Sequence, residues 1–243
     1  LTEGNNNIVM GYYALSADTK GSNNVALGRH ALKVQNFTTA TNGYNVAIGY
    51  DSGALITTGV ENTLIGSLAG DALIDADFNV AVGKGSLTTD TYGSRSTALG
   101  YHALYTQNFG TATNTYNTAV GYGAGGTIST GVENTLIGGN SGDALDVGGN
   151  NVAVGGGSLT TDTKGSKSVA IGVSALATQN FTTATDSVNT AVGFETGAAV
   201  TTGTENTLVG ALAGRSTTTG VANVAMGYGS LYLNTPGSAS VAV

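Results

Sequence analysis

A five-residue unit ending in glycine recurs along the whole 243-residue chain and constrains its fold more than any other feature. The unit is a polar residue, a β-branched residue, a small or aliphatic residue, an aliphatic residue and Gly. It runs from Asn24 to Gly28, Asn45 to Gly49, Asn62 to Gly66, Asn79 to Gly83, Ser96 to Gly100 and Asn117 to Gly121. Further copies begin at Asn134 and Asn151 and continue to Gly227, and a last one, Ser240 to Val243, stops before its Gly. Glycine-to-glycine steps are 17 residues, but every fourth is 21, so the pattern repeats every 72. The 21-residue step carries Gln35-Asn36-Phe37, Gln107-Asn108-Phe109 and Gln179-Asn180-Phe181. The polar leader is Ser only at Ser96, Ser168 and Ser240, which are again 72 apart. This is a repeat nested within a repeat, and repeats of this length mean stacked architecture.

Each unit is short, rich in β-branched residues and bounded by Asn and Gly, so it reads as a strand of about four residues. The third residue after each motif Gly is small, as in Ala31 and Ser52, and the fourth is Leu or Gly, as in Leu32 and Gly53. That segment is expected to be a second short strand after a bend. The remainder, such as Thr88 to Ser94, is turn chemistry. One period is then one coil, and the chain reads as an all-β, parallel β-solenoid of about 13 stacked coils. It forms one repetitive segment over 1–243, with super-repeats near 28–99, 100–171 and 172–243. Coils stacked at ~4.7–4.9 Å would extend about 60 Å. The extra residues of the 21-residue steps are expected to form a longer outward loop that leaves the flanking motifs unchanged. Both ends are interior repeat without a capping coil, with Leu1 aligned to Leu73 and Leu145, so an excerpt of a longer chain is expected.

Stacking aligns the leaders Asn24, Asn45, Asn62, Asn79, Asn117, Asn134 and Asn151 into an expected ladder of amides hydrogen-bonded along the stack. Gly28, Gly49, Gly66, Gly83, Gly100 and Gly121 form a matching column. The motif strand is apolar on both faces, so one face is left to be covered. Ala26, Ala47, Leu64, Ala81, Ala98, Ala119, Leu136 and Ala153 are the expected self-association stripe, covered by further copies of the chain.

Gly11-Tyr12-Tyr13-Ala14-Leu15 and Gly100-Tyr101-His102-Ala103-Leu104, each followed by a Thr- and Gly-rich turn, resemble the shaft repeats of trimeric bacteriophage tail fibres. Ser168-Val169-Ala170-Ile171-Gly172 is similar to the core motif in the head of trimeric autotransporter adhesins. The resemblance covers nearly the whole chain. It implies a left-handed parallel β-roll in a homotrimer, with the small motif residues near the three-fold axis.

Composition narrows the chemistry. Charged residues are 9% of the chain, against roughly 25% in ordinary globular domains, and the net charge is −7 with only eight Lys and Arg. That leaves no basic surface for nucleic acid, and no apolar run reaches the ~18 residues of a membrane span. There is no Cys, and His30 and His102 give way to Ser174 in the third copy, so neither a nucleophile pair nor a zinc site is expected. The repeated carboxylates Glu61, Glu133 and Glu205 would sit ~19 Å apart, too far for a glycosidase pair. No Gly-rich segment is followed by the Gly-Lys-Ser/Thr of a P-loop. Calcium arrays and ice-binding surfaces need a pattern in every coil, and here Asp or Thr-Thr turns come about once in four. Asn36 and Asn180 open Asn-x-Thr sequons, whereas Asn108 does not.

The expectation is therefore a non-enzymatic structural shaft of an extracellular fibre, on a virion or a cell surface, that supports adhesion and needs no cofactor. Its partner is itself. The alternative is a binding module whose 21-residue loops (Gln35, Asn36, Phe37 and their copies) touch a host or cell-surface glycan, with Tyr44, Tyr50, Tyr101, Tyr116 and Tyr122 available for stacking on sugars.

Overall fold

The computed structural model describes residues 3–243, so the expected alignment of Leu1 with Leu73 and Leu145 lies outside the described residues. The chain is an all-β parallel β-solenoid of about 14 coils, with no helix among the described residues. It divides into two units, one up to Asn117 and one from Thr118 onward.

In the first unit the motif strands are Ile8–Met10, Val25–Leu27, Val46–Ile48, Thr63–Ile65, Val80–Val82 and Thr97–Leu99. Each pairs in parallel with the next in sequence. The register aligns like with like: Val25 with Val46, Ala26 with Ala47 and Leu27 with Ile48. The second unit repeats the arrangement from Thr118–Val120 through Thr135–Ile137, Val152–Val154, Val169–Ile171, Thr190–Val192, Thr207–Val209 and Val224–Met226 to Val241–Ala242. The motif Gly is required by close approach. A Cβ on Gly28 would lie 2.3 Å from the carbonyl oxygen of Gly49, and its φ of +137° already disfavours any other residue.

The segment after each Gly is not the expected second strand. Its second and fourth residues have left-handed φ, such as His30 at 63° and Leu32 at 50°, or Asp51 at 53° and Gly53 at 57°. Two left-handed residues so close together curve the backbone instead of pleating it. The curve still bonds to its neighbours, with the Leu32 N–H donating to Ser52 O at 3.1 Å and the Gly53 N–H to Ala69 O at 3.0 Å.

The interior explains why the fourth residue alternates between Leu and Gly. Where it is Leu (Leu32, Leu87, Leu104, Leu159, Leu176), that side chain is fully buried, and the seventh residue after the Gly is a buried Gln or Asp. Where it is Gly, the seventh residue is in five of the six coils a buried aliphatic: Ile56, Leu73, Ile128, Leu145 or Val200. The two positions compete for one volume, since a Cβ on Gly53 would come within 3.2 Å of Ile56 and one on Gly70 within 2.9 Å of Leu73. Motif Leu64 fills what remains, lying 2.8 Å from a Cβ at either of those glycines. Coils are thus of two kinds, and they come in pairs: Asp18 then Gln35, Ile56 then Leu73, Asp90 then Gln107.

Burial also corrects the expected self-association stripe. Ala26, Ala47, Leu64, Ala81, Ala98, Ala119, Leu136 and Ala153 are all 0% exposed within a single chain. They fill the inside of the coil. Side chains alternate along a strand, so a buried Asn leader places the third residue inside as well and turns the second and fourth outward.

Candidate functional site

Three features stand out: the leader ladder, a buried polar cluster in every fourth coil, and the outward face of the motif sheet. The ladder is built as the leaders' alignment suggests, with amide-to-amide bonds such as Asn62 Nδ2 to Asn45 Oδ1 at 3.2 Å, and with further rungs from side chain to backbone. Asn45 Oδ1 accepts from the Asn62 N–H at 2.9 Å, Asn62 Oδ1 from the Asn79 N–H at 3.0 Å, and Asn79 Oδ1 from the Ser96 N–H at 2.8 Å. Asn24 Oδ1 accepts from the Asn45 N–H at 3.1 Å, and Asn7 Oδ1 from the Asn24 N–H at 2.9 Å. In the second unit Asn134 Oδ1 accepts from the Asn151 N–H at 3.0 Å, and Asn151 Oδ1 from the Ser168 N–H at 2.9 Å. Most of the amide nitrogens also donate across the coil, for example from Asn62 to Ala76 O at 2.8 Å and from Asn134 to Gly148 O at 3.0 Å. Burying an amide is costly unless it is satisfied, and these two bonds do that. They also supply an acceptor for a strand N–H that the sheet leaves unpaired.

The polar cluster centres on Asp18, Asp90 and Asp162, each buried. The Nε2 groups of Gln35, Gln107 and Gln179, one coil further on, donate to their Oδ2 atoms at 2.8, 2.5 and 2.6 Å. The Oδ1 atoms accept the N–H groups of Gly21, Gly93 and Gly165 at 2.9–3.0 Å. Phe109 and Phe181 add backbone donors at 3.1 and 3.2 Å. The Gln Oε1 atoms accept from Asn45, Asn117 and Asn189 Nδ2 at 2.8 Å in every copy. Where the leader is Ser, Gln107 also donates to Ser96 Oγ at 2.8 Å and Gln179 to Ser168 Oγ at 2.9 Å. Those hydroxyls bond Thr115 and Ser187 in turn. Glycine is required three residues after the Asp, because a Cβ on Gly93 would lie 2.0 Å from Asp90 Oδ2. The recurring Asp-Thr-x-Gly-Ser at Asp18, Asp90 and Asp162, with Gln 17 residues later, was the available sequence signal for this cluster.

The cluster removes the Gln and Phe residues of the 21-residue loops from the expected ligand-facing set. Gln35, Gln107 and Gln179 are fully buried, and Phe37, Phe109 and Phe181 are 4–7% exposed. Only Asn36, Asn108 and Asn180 of that set face solvent, and Thr19, Thr91 and Thr163 Oγ1 donate to their Oδ1 atoms at 3.1–3.3 Å. Nor are the extra residues wholly an outward loop. Thr38, Thr39 and Ala40 form an exposed tip, but Thr41–Asn42 pairs in parallel with Gly21–Ser22. Thr113–Asn114 pairs likewise with Gly93–Ser94, and Thr185–Asp186 with Gly165–Ser166.

The outward face carries the second and fourth motif residues, two columns that the expected self-association stripe did not include. One column holds Val25, Val46, Thr63 and Val80 in the first unit, and the other holds Leu27, Ile48, Ile65 and Val82. Ile65, Ile137 and Ile171 are 36–39% exposed, and Val25, Leu27, Val46, Ile48, Val80 and Val82 are half-buried. That the fourth residue is aliphatic in every copy was the signal. The exposed Tyr residues flank this face: Tyr44 precedes the Asn45 leader and Tyr50 follows Gly49, where Arg29 sits 5.3 Å over its ring.

His30 Nδ1 lies 2.8 Å from Asp51 Oδ1, and His102 stacks on Tyr101 at 3.8 Å. Burial, with Lys84 nearby, pushes the His102 imidazole below its ordinary value. Among the described residues no cluster of three His, Asp or Glu side chains is placed to hold a metal ion, and no helix is long and apolar enough to cross a membrane. No family model, curated protein or solved structure matches the chain.

Proposed function

We propose that this chain is the structural shaft of an extracellular fibre, on a virion or a cell surface, and that copies associate side by side through the outward face of the motif sheet. One observation carries the reading. The third motif residues from Ala26 to Ala225 fill the interior of their coils, yet within each unit the sheet turns two columns of aliphatic and β-branched residues outward. A stripe of this kind is a self-association surface, and a parallel homotrimer of left-handed rolls, as the resemblance implies, is its simplest closed cover. The shaft supports adhesion rather than catalysis.

The test uses Ile65→Asp with Ile137→Asp, which place charges on the outward face only. Sedimentation equilibrium of the unaltered protein should give a trimer. The double variant should keep its β-type circular dichroism but associate at least about 100-fold more weakly, since an unpaired buried charge costs several kcal/mol. A monomeric unaltered protein, or a double variant that assembles equally well, overturns the reading. Asp at Ala81 is no substitute, because Ala81 is interior and its replacement unfolds the coil itself.

A further inference from the structure

The motif strands, the Asn rungs and the Gly column are nearly identical from coil to coil, so none of them distinguishes one coil from another. Looping out a coil is entropically cheap, and repeat proteins misassemble in this way, within a chain or between copies. We propose that the buried Asp–Gln pairs are register keys: they tie each Asp coil to the Gln coil that follows it, so that slippage or exchange between copies moves the two coils together or not at all.

The key is directional. A carboxylate only accepts and an amide does both, so Asp90 fixes Gln107 with Nε2 towards it and Oε1 towards Asn117 Nδ2. The same order, Asp then Gln then Asn, occurs in all three copies, at 18/35/45, 90/107/117 and 162/179/189. Asp90 and Asp162 read the next coil twice, through the Gln side chain and through the N–H of Phe109 or Phe181. None of these carboxylates forms an ion pair among the described residues. If Asp162 met a coil of the other kind, it would face Val200 or Leu145 and lose its Gln partner. Breaking one side of a buried charged group is strongly destabilising, whereas removing both sides is nearly neutral. A join that parts an Asp coil from its Gln coil therefore fails, whereas one that keeps or removes the two together leaves no pair broken. Polar groups buried at a cost in stability are best attested as setters of register. Each key lies within a single chain, so it operates whether or not copies associate.

Coil deletions in the full chain test it. Removing 156–172 joins Gly155 to Val173 and leaves Gln179 without its Asp. Removing 173–193 joins Gly172 to Phe194 and leaves Asp162 without its Gln. Removing 156–193 deletes both and sets the Leu145 coil against the Val200 coil, apolar on apolar. Thermal melts followed by circular dichroism should place each single deletion about 10 °C or more below the paired deletion, although the paired deletion discards more of the stack. Single deletions that do not fold, beside a paired deletion that does, support the proposal equally. Equal melting of all three, a paired deletion that melts lowest, or three unfolded chains overturns it.

Discussion

Thr217 is the residue at which the interior rule fails. It follows Gly214 and stands where Leu73 and Leu145 stand in the earlier super-repeats, so an aliphatic side chain belongs there. Its hydroxyl is buried and is the one buried side-chain polar atom without a hydrogen-bond partner among the described residues. Thr217→Leu should raise unfolding stability by about 2 kcal/mol, by filling volume and removing the unpaired hydroxyl; an unchanged denaturant midpoint would refute this. Asp71 poses a different question. Burial pushes its carboxyl up, and the Thr88 hydroxyl bonded to it offsets only part of the shift. A raised value in the folded state means that this group's stabilising contribution is complete below the ordinary carboxylate value and is lost as pH rises through the raised one. Asp71→Asn should therefore melt higher than the unaltered protein at pH 7 and lose that advantage near pH 4. Paired melts at the two pH values check the sign.

At the scale of the element, the motif strands, their parallel pairing, the Asn ladder and the Gly column were legible in the sequence, because each rests on one residue type recurring at one spacing. What was not legible has a common cause. A period of two separates the faces of a strand but does not say which lies inside, and Ala26 was assigned to the outside although it shares a face with the buried leader Asn24. The curve after each Gly looked like a strand because left-handed φ at His30 and Leu32 leaves no mark in residue type. The loop residues Gln107 and Phe109 looked exposed because polarity and loop position stood in for burial, and only the coil beneath, with Asp90 and Gly93, explains where they go. The corrected loop makes a divided forecast. Deleting Thr38, Thr39 and Ala40 should leave the melting temperature within a few degrees, whereas Phe37→Ala should cost about 3–4 kcal/mol. Comparable losses from both changes would show that the tip is packed too.

For the molecule as a whole, the direction of the hydrogen bonds matters more than their number. Within either unit, strand bonds and Asn rungs run from one coil to the next, so a pull along the stack loads them one interface at a time. A 17-residue coil advances the stack by about 4.8 Å yet holds about 56–61 Å of extended chain. Each coil that yields thus releases more than ten times the length it occupied, while the remaining coils keep their shape. Under tension the chain behaves as a reel that lets out line in instalments of one coil, every fourth of them longer. The coils joined by Asp–Gln pairs act as brakes at regular intervals, which limits how far one tug travels before the load falls.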